Sequence, residues 1–177
     1  HYDSPYSLWP FGNVRSDDAY KGGSGTNDIQ NFHFFEVSNN IRPDFGELDN
    51  FWYISYVGVS RANKALKALE QISEADYPLK KRRIAEMRFL RGHFYFMLKI
   101  MFRNVPYITE DIPVEDYKTI SNTAIPNEEL WNKIAADFQA AANDLPETQP
   151  QVGRATQKAA YAYLAKTRLY QAYTQDE

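Results

Sequence analysis

The sequence predicts an all-α fold of helical hairpins joined by long irregular loops. Three observations carry that prediction. Four segments repeat apolar residues at spacings of three and four, breaks rich in Pro and Gly separate them, and the apolar stripes of the first pair match those of the second.

Residues 1–46 read as a loop-rich N-terminal segment. Pro5, Pro10 and Pro43 punctuate it, and Lys21-Gly22-Gly23-Ser24-Gly25-Thr26 has the composition of a flexible loop. Its apolar residues are scattered aromatics, among them Tyr2, Tyr6, Trp9, Phe11, Tyr20, Phe32, Phe34 and Phe35, with no sustained period. A loop of this length in a compact domain is functional or is pinned by the rest of the fold.

Residues 47–102 read as a first helical hairpin. Asp44 followed by Glu47 suits an N-terminal capping pair. Trp52, Ser55, Tyr56, Val59, Ala62, Asn63, Leu66 and Leu69 then line one face of a helix over 47–72. Tyr77-Pro78 breaks it, with Pro placed where its missing N–H costs nothing. A second helix over 79–102 carries Ile84, Met87, Leu90, Phe94, Met97, Leu98 and Met101. Both helices are roughly 35–40 Å long at ~1.5 Å per residue, and the short connection favours antiparallel packing.

Residues 103–126 form an irregular insertion with Pro106, Pro113, Pro126 and the acidic residues Glu110, Asp111, Glu115 and Asp116. Residues 127–177 read as a second hairpin. Its first helix, over 127–144, shows Leu130, Trp131, Ile134, Ala135, Phe138, Ala141 and Ala142; its second, over 157–173, starts behind a Thr156 cap. An offset of 79 lays Trp52 on Trp131, Val59 on Phe138 and Leu66 on Leu145, and an offset of 74 lays Phe89 on Tyr163 and Phe96 on Tyr170. Such stacked helix–turn–helix units are of tetratricopeptide type. Units of this kind need neighbours to cover their apolar faces, so two of them read as a piece of something longer.

Composition narrows the function. Twenty Lys plus Arg against 23 Asp plus Glu give a net charge of −3, without the basic excess of a nucleic-acid binder. No cysteine is present, which removes disulfides, thiolate metal sites and a cysteine nucleophile. No run of 18 apolar residues spans a bilayer. The 3 Trp, 13 Tyr and 11 Phe are many for so polar a chain, which places some rings near the surface.

Catalytic signatures are thin. His1, His33 and His93 stand in no metalloprotease motif, no nucleophile elbow occurs, and His93 beside Phe94 in mid-helix reads as structural. The Gly-rich loop lacks the spacing of a phosphate cradle. The Glu110, Asp111, Glu115 and Asp116 cluster lacks the pattern of a calcium loop and reads as solvated. Lys80-Lys81-Arg82-Arg83 reads as a solvated helix end rather than a targeting patch, with Glu74, Asp76 and Glu86 in reach. No cofactor, metal or catalytic residue is assigned. Trp9 and Tyr6, with Asn13 and Arg15 nearby as donors, are the candidate ligand-binding residues, because flat rings beside amide and guanidinium groups suit sugar faces and hydroxyls. Trp9 suits a loop-anchoring core position slightly better than a ligand-binding one.

Several segments together resemble the SusD/RagB family of outer-membrane nutrient-binding lipoproteins. They are Ser16–Gly23, the pattern of Trp52, Tyr56, Val59, Ala62, Asn63 and Leu66, the run Ala85–Arg91 leading into Phe94-Tyr95-Phe96, Asn104–Tyr107, and Gly153–Thr156 followed by Ala159-Ala160 through Leu169-Tyr170. The resemblance implies tetratricopeptide-like hairpins cradling a loop-rich, glycan-binding region. It also implies a surface-exposed, lipid-anchored protein of a Bacteroidetes-type outer membrane, without enzymatic activity, that feeds a TonB-dependent SusC-like transporter. The anchor and the C-terminal portion that completes the ligand site in the family lie outside these residues. A helical-repeat scaffold for peptide or protein is the alternative reading, and a glycan-cleaving enzyme ranks last.

Overall fold

The first unit is held together by rings. In the computed structural model, which describes residues 8–174, the chain divides into two compact units, one up to Ile54 and one from Ser55 onward. In the first unit, the segment expected to be irregular forms a five-residue π-helix, Pro10–Val14, and a short helix α1, Gln30–Glu36. Phe11 meets Phe35 and Phe51 edge-on at 5.2 and 5.8 Å, Phe34 stacks on Phe45 at 6.0 Å, and Phe32, Phe35, Phe45 and Phe51 are buried. The first helix escapes sequence reading because it is short, has no side-chain cap, and is entered through Ile29 at φ 51°. Aromatic packing substitutes for the missing local signals.

The Gly-rich loop is closed on itself. The Lys21 ammonium donates to the carbonyls of Gly22, Gly25 and Asp28 at 3.0, 2.7 and 2.5 Å, and the Asp28 carboxylate accepts from the Ser24 amide at 2.9 Å. A β-carbon on Gly23, at φ 83°, would stand 2.4 Å from Asp28 Oδ2. Glycine is required there by turn geometry, and the loop carbonyls are turned to the lysine ammonium.

Helix α2, Gly46–Glu70, starts without the expected capping pair. Asp44 pairs with Arg42 at 3.3 Å, and Glu47 accepts from the Asn31 amide at 2.9 Å. The Phe45 carbonyl opens the helix by accepting from Leu48 and Asp49.

In the second unit the remainder of α2 is followed by α3, Lys80–Phe102, α4, Asn127–Asp144, and α5, Gln157–Thr174. No strand occurs among the described residues. Contact pairs reveal antiparallel packing throughout. Tyr56 meets Tyr95 while Asn63 meets Arg91; Phe89 meets Phe138 while Phe96 meets Trp131; Phe138 meets Tyr163 while Trp131 meets Tyr170. One helix descends as its neighbour rises in each case.

Small residues let these helices approach. Ala85, Ala141, Ala142, Leu145 and Ala160 form a tight cluster, and an added β-carbon on Gly58 would lie 2.3 Å from the Phe94 ring. The stripe of Ser55, Val59, Ala62 and Leu66 is buried, as is that of Ile134, Phe138, Ala141 and Leu145 79 residues later. Thr156 Oγ1 accepts from the Ala159 amide at 3.3 Å and so caps α5.

Two expectations of solvated charge fail. The basic run is not a free helix end: Arg83 reaches Glu86 at 2.6 Å, Arg82 bonds Gln149, and only Lys81 of the four is exposed. Glu86 itself is 4% exposed and also takes Arg154 at 2.9 Å and the Gln149 amide at 3.1 Å. Helix α3 is thereby tied to the α4–α5 turn, and the cations compensate a carboxylate that burial would otherwise penalise. In the loop after α3, Glu110 is likewise buried rather than solvated.

Candidate functional site

Trp9 precedes the π-helix and accepts its characteristic i→i+5 bond, its carbonyl taking the Val14 amide at 3.1 Å. Runs of π-helix are rare and concentrate at functional positions. Trp9 is half-buried, and its ring meets Phe32 edge-on at 6.0 Å. The ring thus anchors the aromatic cluster while remaining partly exposed. Asn13 and Arg15 are exposed on the same short element, Asn13 about one turn from Trp9 and Arg15 at its C-cap. The Asn13 carbonyl accepts from Ser16 Oγ and from the Ala19 amide, which fixes the turn beyond. Tyr6 lies outside the described residues.

The unit offers a further ring that the spacing argument passed over. Tyr20 is 88% exposed, a few residues beyond Arg15. Its signal in the sequence was its place beside the Gly-rich loop, where no apolar period claims it. Trp9, half-buried, and Asn13, Arg15 and Tyr20, exposed, are ring, amide and guanidinium groups of this one unit. Groups of these kinds can meet the faces and hydroxyls of a hydroxylated ligand.

The resemblance segments from Tyr56 onward turn out to build the helical scaffold of the second unit. Arg91, 1% exposed, grips Asp137 with two bonds of 2.7 Å each, bonds Glu110, and donates to Asn63 Oδ1 at 3.1 Å. Arg88 spans the same carboxylates, 3.0 Å from Asp137 and 3.2 Å from Glu110. Burial opposes the charge on Arg91, but the bonds and charge of Asp137 outweigh it, and the guanidinium is held above its ordinary pKa. The second face of Asn63 donates to the Ile108 carbonyl at 2.9 Å. Tyr95 donates to that carbonyl at 2.8 Å and accepts the Ile108 amide at 2.6 Å, while Tyr56 donates to the Pro106 carbonyl at 2.7 Å. Burial raises the pKa of both phenols, so they remain neutral donors. The loop over 104–110 is thus strapped onto α2 and α3 through its backbone.

Asn63 and Asp137 each interrupt an apolar stripe, and that interruption is the signal by which sequence could have found this network. The carboxylates of Glu110 and Asp137 are both occupied by Arg88 and Arg91. His93 is half-buried, edge-on to Phe94 and Tyr163 at 5.5 Å each. Burial, and secondarily the Lys166 charge, lower its pKa and favour the neutral ring. The four acidic residues of the insertion disperse: Glu110 to the arginines, Asp111 to Lys67 at 3.3 Å, Glu115 and Asp116 to solvent. No group of three or more His, Asp or Glu that could hold a metal occurs among the described residues. Among them, no helix is long and apolar enough to cross a membrane.

Comparison with known proteins places these features. The SusD-like family described as starch-binding and associating with the outer membrane matches residues 13–169. A SusD-like protein, P2, of Formosa agariphila is 30% identical over 158 residues, covering 88% of this chain and 30% of that protein. Among solved structures, surface glycan-binding protein A from Bacteroides uniformis superposes with a TM-score of 0.76 at 27% identity, over 94% of this chain and 36% of that one. A laminarin-binding SusD-like protein gives 0.72 at 30% identity, over 87% and 33%. The chain spans about a third of the length of these relatives.

Proposed function

The chain belongs to the SusD-like family, and from that premise we propose that it is part of a non-enzymatic glycan-binding protein of the cell surface. In this reading a lipid anchor outside these residues holds the protein at the outer membrane, and captured oligosaccharide passes to a TonB-dependent SusC-like transporter. The observation that carries the proposal is the match of the SusD-like family over residues 13–169.

The N-terminal surface of Trp9, Asn13, Arg15 and Tyr20 supplies one edge of the ligand site. Each neutral hydrogen bond to a sugar contributes only about 0.5–1.5 kcal/mol net, so several groups must converge for useful affinity. The intact protein is expected to bind oligosaccharide with about −4 to −8 kcal/mol, millimolar to micromolar. The 177 residues alone are expected to bind it far more weakly. Calorimetry of both with the same β-glucan oligosaccharide tests this. Loss of heat in Trp9→Ala or Tyr20→Ala of the intact protein supports the surface named; unchanged affinity in both removes it.

A scaffold for peptide or protein is the second reading, favoured by Tyr161, Leu169 and Tyr173 standing exposed along α5. Parallel glycan and peptide arrays on the intact protein separate the two.

A further inference from the structure

The first turn of α3 and the α4–α5 connection enclose a cleft of about 250 Å³, lined by Leu79, Arg82, Arg83, Pro150, Gln151 and Arg154. Three of these residues are arginines, and no carboxylate is among them. The buried Glu86 is the anion that all three reach, Arg83 at 2.6 Å, Arg154 at 2.9 Å and Arg82 at 3.8 Å. Three guanidinium charges less one carboxylate leave a surplus of two positive charges at this place.

The bonds already made do not use up the donors. Arg82 bonds Gln149 through Nη2. Arg83 bonds Tyr77 through Nε and Glu86 through Nη1, and Arg154 bonds Gln151 through Nε and Glu86 through Nη1. Each arginine therefore keeps one terminal NH2 without a hydrogen bond among the described residues. The Nε–H of Arg82 is also buried without a hydrogen-bond partner, an arrangement that native interiors rarely leave uncompensated. Position adds to the charge. Lys80, Lys81, Arg82 and Arg83 open a 23-residue helix whose N-cap, Leu79, supplies no side-chain bond. The positive end of the helix dipole disfavours cations and favours an anion. Lys80 is turned away to the Ile72 carbonyl at 2.6 Å, and Lys81 is exposed outside the lining, which leaves Arg82 and Arg83 at the cleft.

We propose that this cleft holds a tetrahedral oxyanion of the sulfate or phosphate type. Such a group accepts through several oxygens set around one centre, which suits NH2 donors arriving from three side chains. A planar carboxylate has only two oxygens, and a single guanidinium fork satisfies it. A dianion also cancels the surplus of two charges, where acetate or chloride cancels half of it. The cleft is smaller than the ~300–1,000 Å³ of drug-sized pockets, a scale that suits the anion alone or the anion as an ester on one sugar ring. The proposal does not rest on the glycan reading and uses none of the residues named for it.

The test is titration of the intact, ¹⁵N-arginine-labelled protein with sodium sulfate, sodium acetate and glucose 6-sulfate, following the guanidinium N–H signals. A background of about 0.15 M NaCl screens exposed charges. Sulfate is expected to bind at least tenfold more tightly than acetate and to move the Arg82, Arg83 and Arg154 signals. Arg154→Gln leaves Glu86 its bonds from Arg83 and Gln149 and should weaken sulfate at least tenfold. Lys81→Gln removes an exposed charge outside the lining and should change sulfate affinity less than twofold. Glucose 6-sulfate binding more tightly than sulfate assigns the oxyanion to a sugar ester, and the reverse order assigns it to the free ion. Acetate binding as tightly as sulfate, stationary arginine signals, or equal weakening by Lys81→Gln and Arg154→Gln would each overturn the proposal. The first two of these outcomes are read on the unaltered protein, so the test stands even where a variant fails to fold.

Discussion

Replacing Asp137 with Asn should show how much of the fold rests on the buried arginine network. Asp137 and Arg91 are 2% and 1% exposed and share two bonds of 2.7 Å. Asparagine keeps the shape but turns one acceptor into an NH2 that faces a guanidinium N–H. Removing one partner of a buried pair costs about 3–5 kcal/mol, because the other charge is left uncompensated in a poorly solvating interior. Glu110 and Asn63 still bond Arg91, so the cost belongs at the lower end, about 3 kcal/mol. With a urea dependence of about 2 kcal/mol/M, the unfolding midpoint should fall by ~1.5 M. The double variant Arg91→Met/Asp137→Leu removes the pair rather than splitting it. It leaves Arg88 with Glu110 at 3.2 Å and should cost only about 1 kcal/mol, mostly for the Asn63 oxygen that loses its donor. Urea melts of wild type, Arg91→Met, Asp137→Leu and the double variant form the cycle, with Asp137→Asn measured beside it. A cost below about 1 kcal/mol for Asp137→Asn, or a double variant as damaged as the sum of the singles, would refute the reasoning.

Two further outcomes follow from packing and from titration. Gly58→Ala gains about 1 kcal/mol of helix propensity but drives a β-carbon to 2.3 Å from the Phe94 ring; a net loss of about 1–2 kcal/mol is expected from overpacking, shrinking in a Phe94→Leu background, and thermal melts of the two pairs check it. His93 has a folded-state pKa below its unfolded value near 6.5, so the unfolded chain binds the extra proton first as pH falls. Stability from this group is complete above about pH 6.5 and is lost as pH drops through that value toward the folded pKa. His93→Phe should therefore flatten the stability profile between about pH 7.5 and 5, and equal slopes in variant and wild type would contradict the neutral assignment.

The second unit was readable because its helices are long and one-sided. Residues 127–144 were bounded correctly from the spacing of Leu130, Trp131, Ile134, Phe138 and Ala141, and Thr156 announced the start of α5. The first unit was not readable. Its helix α1 is seven residues long, below the length at which local periodicity means anything. Phe32, Phe34 and Phe35 find their places only against Phe11, Phe45 and Phe51.

Sequence alone also misjudged charge. Arg82 and Glu110 look solvated in one dimension, because partners that engage them, Gln149 and Arg91, lie 67 and 19 residues away. The basic run needed Gln149 and Arg154 beside Glu86, and Glu110 needed Arg91 and Arg88 one helix back. What sequence determined by itself was the helical class, the long helices and the family resemblance, since each depends on short-range spacing and residue type. Tertiary structure decided which polar residues are buried, which rings anchor and which stand free, and where a donor-lined cleft opens. Those outcomes depend on contacts between distant segments, and the free energy of burying a charge or a ring is set by its neighbours in space.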